Sequence, residues 1–256
     1  MDIQKAAFDL LVAERLKTPI EPFTSSTDLS VDDAYRIQLL QINEKLKDAH
    51  LVGMKIGLTS KVMQTMFNVD TPDFGHILNT MVFENRQTLS VSQFIEPKVE
   101  FELAFVLKED LKGPDVTSEQ VLAATEAIVP AIEIIDSRIK NWQFKFQDTV
   151  ADNGSSAGAV LGEKHPVPSL EQLANIRVVA KKNGEVFDEG MSSAVMGNPA
   201  KAVAWLANML ADYDITLKAG HFILAGAITA AVPFESGDVF EVDFGSYGEV
   251  KLSFTE

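Results

Sequence analysis

Glu100 and Glu102 lie two residues apart in Pro97-Lys98-Val99-Glu100-Phe101-Glu102-Leu103-Ala104-Phe105-Val106-Leu107, a run that reads as a β-strand. Side chains alternate along a strand, so the two carboxylates share one face and Val99, Phe101 and Leu103 take the other. Glutamate is depleted in strands and seldom buried without a partner. Two like charges on one apolar face repel unless a cation lies between them. Oxygen ligands suit hard divalent ions, so Mg²⁺, Mn²⁺ or Ca²⁺ is the cation to expect. A solvated sheet face would carry the same alternation. A second apolar run, Ala131-Ile132-Glu133-Ile134-Ile135-Asp136, has an acid at its centre. Glu100, Glu102 and Glu133 thus make a candidate three-carboxylate site.

Three further groups have side chains suited to chemistry. Lys55, in Val52-Gly53-Met54-Lys55-Ile56-Gly57-Leu58-Thr59-Ser60, sits between apolar residues and glycines. It is a candidate general acid/base or anion-binding group, or a surface lysine with a buried stem. Burial would lower its pKa and nearby carboxylates would raise it. Arg138, in Asp136-Ser137-Arg138, suits a substrate carboxylate or a structural pairing with Asp136 or another acid. The stretch from Asp148 to Gly158 is a loop of small polar residues. Its amides and hydroxyls suit an oxyanion, although an ordinary turn cluster looks similar. His50, His76, His165 and His221 form no metal-spaced pair, and no HExxH, GxSxG, GxGxxG or Walker pattern is present.

Several elements must position these groups. Residues 2–17 read as a helix ended by Pro19, and residues 31–49 as another with Ser30 as N-cap. Tyr35, Leu39, Ile42 and Leu46 form the apolar stripe of the second helix. Leu51–Leu58 and Lys98–Leu107 read as strands. Thr117-Ser118-Glu119-Gln120 opens a helix that Pro130 is expected to stop, with a strand at Ile132–Asp136. Asn183-Gly184 marks a tight hairpin, and Asn198-Pro199 starts a helix running to about Tyr213. Short strands follow, punctuated by glycine turns. Strands and helices do not alternate regularly, which argues against a doubly wound parallel sheet. The expected fold is α+β: an N-terminal helical region over residues 1–50 and a curved mixed sheet or barrel over 51–256.

Composition sets outer bounds. At 256 residues the chain can bury a sizeable core. A net charge of −15 argues against nucleic acid or an anionic membrane as partner. The absence of cysteine excludes disulfides, thiolate catalysis and cysteine-ligated metals, and fits a cytoplasmic protein. The N-terminus lacks the pattern of a signal peptide, and no apolar run is long enough to span a bilayer.

Taken in order, Lys55-Ile56-Gly57-Leu58-Thr59-Ser60, Thr71-Pro72-Asp73-Phe74-Gly75, the Glu-x-Glu strand, the stretch from Ile128 to Arg138, Val150-Ala151-Asp152-Asn153 and Gly197-Asn198-Pro199 through Leu224-Ala225-Gly226 resemble one family. It is the 2-keto-4-pentenoate hydratase / 4-oxalocrotonate decarboxylase branch of the fumarylacetoacetate hydrolase superfamily. The resemblance covers nearly the whole chain. It implies a mixed β-roll of that superfamily's C-terminal type and a homo-oligomer, with association with a partner enzyme of the same pathway also open. It also implies Mg²⁺ or Mn²⁺ on Glu100, Glu102 and Glu133, Lys55 in catalysis, and Asp73, Arg138 and Ser155 at the substrate. Superfamily hydrolases typically carry Asp at the third ligand position and a Glu-His lid pair. Here that position is Glu133 and no such lid motif is evident. The expected activity is therefore hydration of a 2-hydroxy-2,4-dienoate, with 2-oxo acid decarboxylation as the alternative.

Overall fold

The structure, a computed structural model, describes residues 1–256. Two helices open it. α1 (Ile3–Leu16) is capped by Asp2, whose carboxylate accepts from the Gln4 and Lys5 amides. α2 (Val31–Lys45) is capped by Ser30. There follow β1 (Leu51–Gly57), α3 (Lys61–Met66), β2 (Asp73–Leu78), β3 (Val82–Phe83), β4 (Thr88–Ser90) and β5 (Lys98–Leu107). The middle of the chain forms α4 (Ser118–Ala124), β6 (Thr125–Ile135), α5 (Phe146–Ala151), β7 (Ser156–Leu161), α6 (Leu170–Leu173), β8 (Arg177–Lys182) and β9 (Glu185–Met191). The last part contains α7 (Pro199–Ala211), β10 (Phe222–Leu224), β11 (Val232–Pro233), β12 (Val239–Asp243) and β13 (Glu249–Thr255). No helix is long and apolar enough to cross a membrane.

The strands form two mixed sheets. The larger runs β2-β1-β10-β5-β6-β7-β3, with β11 pairing on β5. The smaller runs β4-β13-β12-β8-β9. The larger sheet curls until β2 meets β7. Alternation gives it two different faces. Val99, Phe101, Leu103 and Phe105 of β5 join the main core with Leu10 of α1, Tyr35 of α2, Leu206 of α7 and Phe240 of the smaller sheet. Inside the curl, small residues such as Ala104, Ala127, Ala131 and Ala159 form a second, compact cluster with Leu224. Glu100, Glu102 and Glu133 continue that inner row toward its open end.

The largest departure from the sequence reading is a boundary in the middle of the chain. The helix opened by Thr117 ends at Ala124, and β6 runs straight through Pro130. Proline costs a strand its ladder donor. Here the Pro130 carbonyl accepts from Gly162 on the β7 side, just past the end of β7. The proline nitrogen points to that same side, so the missing donor falls beyond the last paired residue of β7 and the ladder to β5 is untouched. The stretch from Asp148 to Gly158, read as a loop, holds the end of α5 and the start of β7, and several elements, among them β2, α6 and the α3 helix, had no reading from sequence. The only strong local signal of α3 is Ser60, whose hydroxyl caps the Met63 amide.

Candidate metal centre and active-site cleft

Register brings the three glutamates together. β5 and β6 are antiparallel neighbours with Glu100 opposite Glu133 and Glu102 opposite Ala131. Residues paired across a ladder share a face, so all three side chains rise from one patch. One carboxylate oxygen from each lies within 4.8 Å of the others. Glu102 and Glu133 are fully buried, and Glu100 faces the cleft. The Gly226 amide donates to Glu102 Oε2 at 2.7 Å, which fixes that carboxylate.

The electrostatics of this patch are unfavourable without a cation. Burial holds the Glu102 carboxyl well above the usual range, and Glu133 and Glu100 push it further. Burial likewise pushes Glu133 up to about 8, against the pull of Lys55. Glu102 Oε1 and both Glu133 oxygens find no hydrogen-bond partner. Buried polar atoms are nearly always partnered, so orphaned oxygens on two glutamates that converge with Glu100 call for a ligand. Their spacing is within about twice the ~2.0–2.6 Å at which Mg²⁺ and Ca²⁺ bind oxygen. An all-carboxylate donor set suits a hard divalent ion. The residues fit such an ion.

Lys55 projects from β1 beside this patch, 3% exposed, with Nζ 3.9 Å from Glu133 Oε1. Burial pulls its ammonium down, but Glu133, Asp73, Glu100 and Glu102 outweigh that and hold it above the ordinary lysine value. Asp73 begins β2 directly opposite Gly57. A Cβ at Gly57 would lie 2.1 Å from Asp73 Oδ1, so only glycine leaves space for this buried carboxylate beside the lysine. Gly154 closes over the same lysine at φ 58°, where a Cβ would sit 3.0 Å from Lys55 Cε.

Gly154 belongs to a turn of three consecutive left-handed residues, Asn153, Gly154 and Ser155. Such a conformation is costly for residues with a Cβ and needs support. Asn153 grips the His76 backbone on both sides, donating to its carbonyl at 2.9 Å and accepting from its amide at 2.8 Å. Below the turn Arg138 is buried and fully committed. Its Nε donates to Asp152 Oδ1 at 2.6 Å, its Nη1 to the Asp136 and Ser156 carbonyls, and its Nη2 to the Asp152 carbonyl. The expectation that Arg138 holds a substrate is therefore corrected, because all three nitrogens are spent on the loop and none reaches the cleft. Asp73 and Ser155, by contrast, both line it.

Removing one partner of a buried ion pair leaves the other charge uncompensated, at about 3 kcal/mol or more. Arg138→Met should thus lower the melting temperature by about 6 °C or more, as read by calorimetry. A substrate clamp would instead raise KM and leave the melting temperature in place.

The cleft above these groups encloses about 610 Å³. Its inner end is Lys55, Asp73 and Glu100, and its outer wall is apolar, built from α3 and from Trp142 and Phe144. Sequence reasoning did not assign that wall, because it joins segments far apart in the chain and carries no local pattern.

The model of the family described as fumarylacetoacetate (FAA) hydrolase C-terminal matches residues 57–254. The 2-hydroxyhexa-2,4-dienoate hydratase of Comamonas testosteroni is 43% identical over 253 residues, covering 96% of this chain and 95% of that protein. The 2-oxo-hept-4-ene-1,7-dioate hydratase of Escherichia coli is 39% identical, covering 89% and 88%. Among solved structures, 4-oxalocrotonate decarboxylase from Pseudomonas putida G7, complexed with magnesium and adipate, superposes with a TM-score of 0.93 at 34% identity. That match covers 98% of this chain and 97% of the other.

Proposed function

Since the chain belongs to the fumarylacetoacetate hydrolase family, in its branch of dienoate hydratases and oxalocrotonate decarboxylases, we propose that it is a divalent-metal-dependent hydratase. It adds water to a 2-hydroxy-2,4-dienoate and yields a 4-hydroxy-2-oxo acid. The observation that carries this reading is the convergence of the Glu100, Glu102 and Glu133 carboxylates, the last two buried with oxygens that lack partners, with the Lys55 side chain beside them. The hydratase names of relatives at about 40% identity support it.

Glu100, Glu102 and Glu133 would hold Mg²⁺ or Mn²⁺. That ion, when bound, supplies Lewis-acid chemistry, favouring negative charge on the oxygen at the 2-position of a 2-oxo acid. The chain's own groups handle the protons and the water. In the first step the 2-hydroxyl loses its proton and the far end of the diene, C5, gains one, leaving a 2-oxo-3-enoate. In the second, a hydroxyl adds to C4 and a proton to C3. Lys55, whose ammonium the neighbouring carboxylates hold above the ordinary lysine value in the metal-free site, is the group placed to give a proton to carbon. Burial keeps Asp73 above the usual carboxylate range, which suits it to take a proton from a hydroxyl beside it. Ser155 and the Gly154 turn close the inner end around the substrate's head.

The same reading carries a homo-oligomer in the cytoplasm, open to association with a pathway partner enzyme. The exposed Phe8 and Leu16 on α1 and the lack of cysteine support it. The deciding experiment supplies Mg²⁺ with either 2-hydroxypenta-2,4-dienoate or 4-oxalocrotonate. The expected result is loss of dienol absorbance with no CO₂ and a 4-hydroxy-2-oxo acid by NMR. Release of CO₂ from 4-oxalocrotonate without hydration of the dienoate would replace the hydratase by the decarboxylase.

A further inference from the structure

The two ends of the cleft differ in chemistry, and the outer end carries information about the substrate's tail. Val62 and Met66 of α3 face this space while 73% and 71% exposed. Large apolar side chains left uncovered at the mouth of a binding cleft gain by having an apolar group laid against them. The wall facing them is preformed. Phe67 stacks on Phe144 with ring centres 5.8 Å apart, and Trp142 packs on Phe144 at 5.9 Å.

Charge points the same way. The acids lining the cleft are Asp73, Glu100, Asp188 and Glu189, against only two cations, Lys55 and Lys98. Lys55 is taken up by the carboxylates of the inner end. The Lys98 ammonium lies 4.0 Å over the Trp142 ring, a cation–π contact that turns it into the aromatic wall. No arginine or histidine lines the cleft. Arg138 is spent on the Gly154 turn, and Arg177 on Glu189. A second carboxylate at the far end of a substrate would meet aliphatic and aromatic carbon, with Asp188 and Glu189 nearby and, as the one cation on that side, Lys98 held over the Trp142 ring.

We infer that this site selects substrates whose far end is a neutral alkyl group and discriminates against dioic acids, with Val62, Met66, Phe67 and Phe144 as the determinants; this rests on the 2-oxo acid reading above. A carboxylate laid against this wall would lose water and would have to draw Lys98 off the Trp142 ring to be paired, whereas each buried methylene gains about fourfold in affinity. The two effects reinforce each other for substrates of equal chain length.

The test is calorimetric titration of the whole protein in Mg²⁺ with pyruvate, 2-oxohexanoate and 2-oxoadipate, the last two being unreactive six-carbon acids that differ at the far end. The expected order is 2-oxohexanoate tighter than pyruvate, and 2-oxoadipate weaker than 2-oxohexanoate by about tenfold or more. Met66→Arg changes an exposed position and places a cation on the outer wall, so it should narrow or reverse that preference. Equal or tighter binding of 2-oxoadipate by the unmodified protein would overturn the inference, as would a Met66→Arg variant with an unchanged ratio. If pyruvate itself fails to bind in Mg²⁺, the 2-oxo acid reading falls and the inference falls with it. If pyruvate binds and the two tails are not distinguished, only the inference falls.

Discussion

Replacing Glu133 by glutamine should leave the metal-free protein at least as stable as before, while abolishing both its stabilisation by Mg²⁺ and its turnover. The carboxylate is fully buried, both oxygens lack partners, and burial pushes it up to about 8. The sign follows from linkage. A carboxyl raised above its unfolded value contributes stability at low pH that is lost as pH rises through the folded value. For Glu133 that loss runs from about 4.5 to about 8. Glutamine stays neutral across this window, so the variant's advantage in a chelator should grow with pH. Asp73, Glu100 and Glu102 remain to compensate Lys55.

Mg²⁺ reverses the comparison. An ion that binds only the folded state at a hundred times its Kd stabilises by about 2.7 kcal/mol. For a chain of this size that is roughly 5–11 °C in melting temperature. The unmodified protein should show this shift and Glu133→Gln should show none. Turnover should fall about 10³-fold, corresponding to about 4 kcal/mol of lost transition-state stabilisation. A variant that keeps the full Mg²⁺ shift would remove Glu133 from the centre. A merely structural glutamate would give the opposite sign in the chelator, because its loss would destabilise.

How far this centre can be read from sequence depends on which forces act locally. Alternation is local, so β5 announces both its extent and the shared face of Glu100 and Glu102. Register is not local. Nothing in Ala131–Asp136 says that Glu133 lies opposite Glu100 rather than one position away, and one step would turn it to the other face. Pro130 misleads for a related reason: its cost depends on which neighbour its nitrogen faces, and only the folded sheet turns it to the β7 side, past the last paired residue, and away from β5. Arg138 had partners on offer nearby, yet Asp152, fourteen residues on, claims it. Lys55 shows the same limit in electrostatics. Its flanking residues signal burial, which alone would lower its pKa. The carboxylates that win come from β2, β5 and β6, and only the folded sheet brings them into range.

Lys55→Met should remove the proton transfers while leaving the cation site intact. Methionine keeps the unbranched stem and fills the buried volume without the charge. General acid–base groups contribute about 10²–10⁴-fold, so turnover should fall by about 10³. Affinity for Mg²⁺ should hold or rise, because a cation 3.9 Å from Glu133 has been taken away from the ligand set. This pairing of lost turnover with retained metal response is the inverse of Glu133→Gln, where both vanish. Proton transfer can also be watched without hydration. In D₂O with Mg²⁺ the unmodified protein should exchange the C3 hydrogens of 2-oxopentanoate, Asp73 taking the C3 proton and Lys55 returning deuterium, seen by NMR as loss of the C3 signal. Lys55→Met should bind this acid and not exchange it. Exchange at the unmodified rate would transfer the proton-donor role to Asp73, the other titratable group buried at this end of the cleft. Exchange lost together with Mg²⁺ binding would mean that the lysine organises the carboxylates rather than carrying the proton. Lys55 sits among four acids and is held protonated by them, so the geometry favours the first outcome: a proton kept in place beside the substrate's head, ready for carbon.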